Sequence, residues 1–230
     1  MTFPYKALTF DCFGTLMDWR RGQRDSLWNL PECAPVRAEG VEAFATLDRE
    51  RMLAEQELQR GPFLPYGQVL QRSLASAGKR HGIDFAPSSL QSYAAAMAQW
   101  PAFADSAEGL EQLSVHAQIG LLSNCEEDIL RQVASQQLGC PQAICLSADA
   151  VQSYKPAPGH WQAFLDQSSL KPEEILHVSA YDHYDLRPAQ ALGFPVAFIA
   201  RDQERLPDDL NVEHQAEDIL DLVLQLGLGA

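Results

Sequence analysis

Residues 6–16 read Lys-Ala-Leu-Thr-Phe-Asp-Cys-Phe-Gly-Thr-Leu, and this stretch limits the available folds more than any other. Its first half is a short apolar run, the pattern of a parallel strand buried on both faces. The run stops at Asp11 and a Gly-Thr turn follows. A buried strand ending in Asp sets the carboxylate at the carboxyl edge of a sheet, where open α/β folds bind ligands. Gly14 lets the backbone return sharply, and Thr15 then offers a hydroxyl to Asp11 or to its ligand. The competing reading is an Asp that only closes a turn. The remainder of the chain weighs between them.

From Pro101 onward short apolar runs alternate with amphipathic segments. The runs are Gln118–Leu122, Ala143–Leu146, Ile175–Ser179 and Val196–Ile199. Helical patterns lie near Ala107–Leu113, Glu126–Leu138, Gly159–Gln167 and Leu186–Leu192, and a last one covers Glu217–Leu226. Strand–helix alternation predicts a doubly wound parallel sheet with helices on both faces, an α/β fold. The stretch from Asp18 to about Trp100 lacks strand alternation. Val41 to Arg60 and the segment after Pro65 carry apolar residues at helical spacing, and Ser92 to Trp100 is rich in Ala, a strong helix former. The expectation is a core of residues 1–17 and 100–230 with a helical cap, residues 18–99, inserted after the first strand.

Charge narrows the partners. A net charge of −14 argues against nucleic acid, which needs a basic face, and against anionic membranes. No apolar stretch reaches the ~18 residues of a membrane span, and no secretory leader is visible. Five cysteines, an odd number and without a Cys-x-x-Cys pair, suggest reduced thiols and a cytoplasmic location. Cys12 and Cys125 read as small buried hydrophobes. The expected ligand is a small anionic molecule, and a homodimer is possible.

Four segments carry acids, hydroxyls or a lysine at predicted strand ends: Asp11 with Gly14-Thr15-Leu16, Leu121-Leu122-Ser123-Asn124, Ser153-Tyr154-Lys155-Pro156, and Ile175 to Ser179 followed by Asp182-His183-Tyr184-Asp185. In this order they resemble the four motifs of the haloacid dehalogenase (HAD) superfamily of hydrolases, over essentially the whole chain. The resemblance is nearest to the 2-haloacid dehalogenase branch, where an aromatic residue stands two places after the first Asp, as Phe13 does here. HAD phosphatases carry a second Asp at that place.

The residues themselves allow a covalent scheme: a carboxylate in a crevice is a legitimate nucleophile, and a second carboxylate can serve as base for the water that cleaves the intermediate. The resemblance implies Asp11 as nucleophile with Lys155, Asp185 and Thr15 as catalytic partners, and Phe13, Ser123 and Asn124 around the substrate. Pro156 stiffens the presentation of Lys155. Ser123 and Asn124 can alternatively cap the helix beginning near Glu126, and Asp185 can be a helix-capping acid. The chain is about one residue longer than the dehalogenase branch between Ser179 and Asp185. Asp182 therefore either adds a carboxylate to the site or is turned outward. His183 reads as a loop histidine without a role.

Asp11, Asp185 and Lys155 sum to one negative charge, and a 2-haloacid adds another. Such an excess is costly when desolvated. The dehalogenase branch answers it with a cap arginine, for which Arg49 is preferred here and Arg51 is the alternative. Without such an arginine, the surplus would favour Mg2+ held by Asp11, Asp185 and the Phe13 carbonyl, as in the family's phosphatases. Three functions compete: a metal-independent 2-haloacid dehalogenase, a magnesium-dependent phosphatase, and an idle HAD-like binding protein.

Overall fold

The computed structural model describes residues 3–201 and 204–228. The chain divides into two compact units, Met1–Asp18 with Pro101–Ala230, and Trp19–Trp100.

The first unit is built on six parallel strands: β1 (Ala7–Asp11), β2 (Gln118–Ser123), β3 (Ile144–Ser147), β4 (Ile175–Ser179), β5 (Val196–Ile199) and β6 (His214–Ala216), in the order β3-β2-β1-β4-β5-β6. This is the expected doubly wound α/β sheet. β1 is central and every residue in it is buried. The strand order reverses between β1 and β4, the switch point beyond whose carboxyl ends open α/β sheets bind their ligands. β6 has no apolar run to announce it. Three residues at the sheet edge, with only Ala216 buried, suffice to pair with β5.

One face of the sheet is filled by Trp161, Phe164, Leu122, Ile175 and Phe198, all at most 2 % exposed. Gly120 in mid-β2 makes room for this. A Cβ there would lie 2.4 Å from the Phe164 ring. Phe164→Ala would cost about 3–5 kcal/mol through the cavity it leaves.

The second unit carries α1 (Trp19–Trp28), α2 (Ala34–Glu39), α3 (Val41–Gln59), α4 (Tyr66–Arg80) and α5 (Pro87–Ala95), and its described residues hold no strand. The expected helix over Ser92–Trp100 instead starts at Pro87, a favoured first helical residue, and gives way to a 3-10 turn at Ala96–Gln99. Back in the first unit, α6 (Ser106–Ser114), α7 (Glu127–Gln136), α8 (Ala148–Val151), α9 (Gly159–Ser168), α10 (Arg187–Ala191) and α11 (Ile219–Gln225) connect and cover the strands.

One difference from the sequence reading matters for the site. The helix expected over Leu186–Leu192 is preceded by a π-helical turn, Asp182–Leu186. The Leu186 amide donates to the Tyr181 carbonyl at 3.1 Å, and the Arg187 amide to the Asp182 carbonyl. A wide turn of this kind takes in one residue more than an α-turn would. That accounts physically for the extra residue between Ser179 and Asp185. Asp185 thus lies inside the turn and is not a helix cap.

Candidate active site

The turn after β1 is closed by its own backbone. The Leu16 and Met17 amides both donate to the Cys12 carbonyl at 2.9 Å. Gly14 adopts φ +109°, and a Cβ on it would lie 2.1 Å from Tyr181 Oη. Only glycine accepts both the conformation and the tyrosine. The turn brings Thr15 back onto Asp11. The Thr15 hydroxyl donates to Asp11 Oδ2 at 2.9 Å and accepts from the Ala180 amide at 3.0 Å.

Lys155 reaches the same carboxylate from the other side. Its Nζ donates to Asp11 Oδ1 at 2.7 Å, to Asp185 Oδ1 at 2.6 Å and to the Leu122 carbonyl at 2.9 Å. An ammonium has three donors, so all three are committed. Asp11, Lys155 and Asp185 are 6 %, 3 % and 1 % exposed, and their charges therefore interact almost without solvent screening.

Two carboxylates share one cation, and their protonation responds unequally. Burial raises the Asp11 carboxyl from the usual 3.8 to about 6, opposed by Lys155 and assisted by the Asp185 charge. Burial would raise Asp185 as well, but Lys155 and the His177 contact hold it below the usual range. Burial would lower Lys155, yet the two carboxylates hold its pKa above the ordinary value. At neutral pH the trio is two carboxylates and one ammonium.

Asn124 does not cap a helix. The N-cap of α7 is Glu126, without a side-chain cap bond. The Asn124 carboxamide instead grips the Lys155 backbone. Its Oδ1 accepts from the Lys155 amide at 2.7 Å, and its Nδ2 donates to the Lys155 carbonyl at 3.3 Å. Ser123 is buried at the end of β2, and its carbonyl faces His160 Nε2 at 3.0 Å. Burial lowers the His160 imidazole to about 4, so Nε2 is the donor. Phe13 is half-buried in the turn that follows β1.

Asp182 turns its side chain to Arg187, whose Nε lies 3.4 Å away, and to His183 Nδ1 at 3.3 Å. His183 is exposed and stacked near Tyr184. In the helical unit, Arg51 is fully buried and held by Asp48 and Glu55 of its own helix. Arg49 keeps an exposed guanidinium, 3.7 Å from Glu42 and 3.1 Å from the Thr46 hydroxyl.

Two further residues bear on the site. Arg201, just after β5, donates to the Thr15 carbonyl at 2.9 Å and forms a two-pronged pair with Asp105 at 2.9 and 2.6 Å. It braces the turn that carries Asp11 and Thr15. His177, in mid-β4, lies between Thr9 Oγ1 and Asp185 Oδ1. Their signals were present in the sequence: a basic residue at a strand end, and one imidazole within a buried apolar run.

The two carboxylates of the magnesium set, Asp11 and Asp185, are already bridged by the Lys155 ammonium. Among the described residues no group of three or more His, Cys, Asp or Glu side chains is placed for a metal ion. Among the described residues no helix is long and apolar enough to cross a membrane.

A buried carboxylate at the switch point of a 3-2-1-4-5-6 sheet, clamped by a lysine from a later loop, defines a class of α/β hydrolase. The model of the haloacid dehalogenase-like hydrolases matches residues 5–193, and the chain belongs to that family. It is 28% identical to (S)-2-haloacid dehalogenase 4A of Burkholderia cepacia over 206 residues, covering 87% of this chain and 85% of the relative. It is 26% identical to (S)-2-haloacid dehalogenase 1 of Pseudomonas sp. strain CBS-3, covering 86% of each. Among solved structures, an L-2-haloacid dehalogenase superposes with a TM-score of 0.82 at 27% identity, covering 98% of this chain and 100% of that one.

Proposed function

We propose that this hydrolase is a 2-haloacid dehalogenase that releases halide from short (S)-2-haloacids, with Asp11 as nucleophile. The observation that carries the reading is the Asp11 carboxylate, buried between Lys155 and Thr15, with apolar Phe13 two residues on. The names of the relatives point the same way.

In the first step an Asp11 oxygen attacks C2 from the side opposite the halogen. The C–O bond forms, the carbon–halogen bond breaks, and the halide leaves with the bonding pair. A halide needs no proton, so Phe13 suits this position where an acid would serve a phosphoryl leaving group. Thr15 and Lys155 hold the carboxylate in a fixed orientation for in-line approach. In the second step water attacks the acyl carbon of the Asp11 ester while Asp185 takes its proton. The acyl C–O bond then breaks, the alkoxide regains a proton as the 2-hydroxyacid, and Asp11 is regenerated. Lys155 neutralises charge throughout but has no donor to spare for the substrate carboxylate. We assign that task to Arg49, since Arg51 is committed to Asp48 and Glu55.

The test is halide release from short (S)-2-haloacids with and without chelator. Chelator-resistant release, a 2-hydroxyacid of inverted configuration, and entry of labelled water oxygen into Asp11 in one turnover are expected. Release of product with retained configuration, or label passing straight into product, refutes the scheme.

A further inference from the structure

A carboxylate that serves as base, as Asp185 does in ester hydrolysis, must be aimed at its water. His177 is the group in contact with it that has no other task. Thr9 and His177 are register partners on β1 and β4, so their side chains leave the sheet on the same face. His177 Nδ1 is 2.9 Å from Thr9 Oγ1, and Nε2 is 3.4 Å from Asp185 Oδ1. The edge of Trp161 closes the imidazole in, with ring centroids 5.4 Å apart, and His177 and Thr9 are both wholly buried.

This arrangement fixes the tautomer. Burial, reinforced by the Lys155 charge, keeps the imidazole pKa below its usual value despite Asp185, so the ring is neutral and carries one N–H. An ionised carboxylate only accepts. The proton therefore sits on Nε2, facing Asp185, and Nδ1 accepts from the Thr9 hydroxyl. Lys155 and His177 then both donate to Oδ1 of Asp185. Two donors on one oxygen fix the plane of the carboxylate and leave Oδ2 as the oxygen that takes a proton from water.

We propose that His177, locked as the Nε2–H tautomer by Thr9, is a positioning residue that orients Asp185 for hydrolysis of the Asp11 ester. The assignment rests on the dehalogenase reading for its kinetic consequence, but not for its tautomer. Halide leaves in the first step and Asp185 acts in the second, so loss of His177 should slow only the second.

The experiment compares wild type, His177→Phe, His177→Gln and Thr9→Val in rapid-mixing halide release from (S)-2-chloropropionate. Phe keeps the ring and removes the donor; Gln restores a donor near the Nε2 position. His177→Phe should show a burst of about one halide per chain, followed by turnover reduced about 10- to 100-fold, the scale of a misplaced catalytic group. A mass shift on the Asp11 peptide should report the accumulated ester. His177→Gln should recover most of the steady-state rate, and Thr9→Val should fall between. Loss of burst and steady state together, or Gln no better than Phe, overturns the proposal. A nitrogen-15 spectrum of substrate-free wild type is the second measurement. A neutral ring protonated at Nε2 across pH 6 to 8 is expected, and a proton on Nδ1 or on both nitrogens overturns the assignment. If wild type releases no halide, the functional reading fails, and the ring resonance alone then decides the positioning.

Discussion

Asp11→Asn should abolish turnover and make the protein more stable. The Asp11 carboxyl rises from 3.8 to about 6 on folding, chiefly through burial. Between about pH 4 and pH 6 the unfolded chain has lost that proton and the folded chain still holds it. The folded state then binds more protons, so stability falls as pH rises through this window and is flat above it. A shift of about 2 units corresponds to about 3 kcal/mol. Asn does not ionise and escapes that cost. It also leaves Lys155 paired with Asp185, a neutral pair where the trio carried one surplus negative charge. The variant should therefore match wild type near pH 4 and exceed it by up to about 3 kcal/mol at pH 8. For a chain of this size, that is roughly 6–12 °C in melting temperature. Calorimetry or urea denaturation at unit pH steps from 4 to 8 measures the difference, with halide release as the parallel assay. A variant less stable than wild type at pH 8, or a difference independent of pH, would refute the reasoning. It would mean that the attraction of Lys155 for Asp11 exceeds the desolvation of the carboxylate.

The same carboxyl sets a pH limit on activity. Halide release per encounter should fall below about pH 6, as Asp11 takes up its proton, and a profile flat down to pH 4 would contradict a buried carboxylate nucleophile. Lys155→Met removes the cation bonded to both Asp11 and Asp185. It should abolish turnover and destabilise by about 3–5 kcal/mol at pH 7, with part of the loss recovered at pH 5, where one carboxyl is protonated; denaturation at both values checks this. Gly14→Ala places a Cβ against Tyr181 in a left-handed conformation and should cost about 1–3 kcal/mol together with much of kcat. Pairing it with Tyr181→Ala in a double-mutant cycle separates the clash from the backbone strain. Asn124→Ala should lower kcat by loosening the Lys155 backbone, whereas Ser135→Ala on the surface of α7 should change neither rate nor stability.

What the sequence determined was the scaffold and the identity of its ionisable groups. The buried runs ending in Asp11, Ser123 and Ser179 are strands whatever surrounds them, because their apolar residues need cover on both faces. A residue just past a strand end is bound to lie at the sheet's ligand edge, and for that reason Asp11 and Thr15 were legible in a linear chain. Only the tertiary structure decided how these groups divide the work. Lys155 is 144 residues from Asp11, and no local pattern states that its three donors are all consumed by Asp11, Asp185 and the Leu122 carbonyl. Asn124 looks like a helix cap until Lys155 arrives to occupy its carboxamide. Asp182 and Asp185 are both acids in one loop, and a single π-helical turn sends one to Arg187 and the other to Lys155. Arg201 and His177 gain their places from contacts 186 and 168 residues away in sequence. The sequence fixes which charges a chain owns; desolvation and distance, which exist only once it is folded, fix what each charge does.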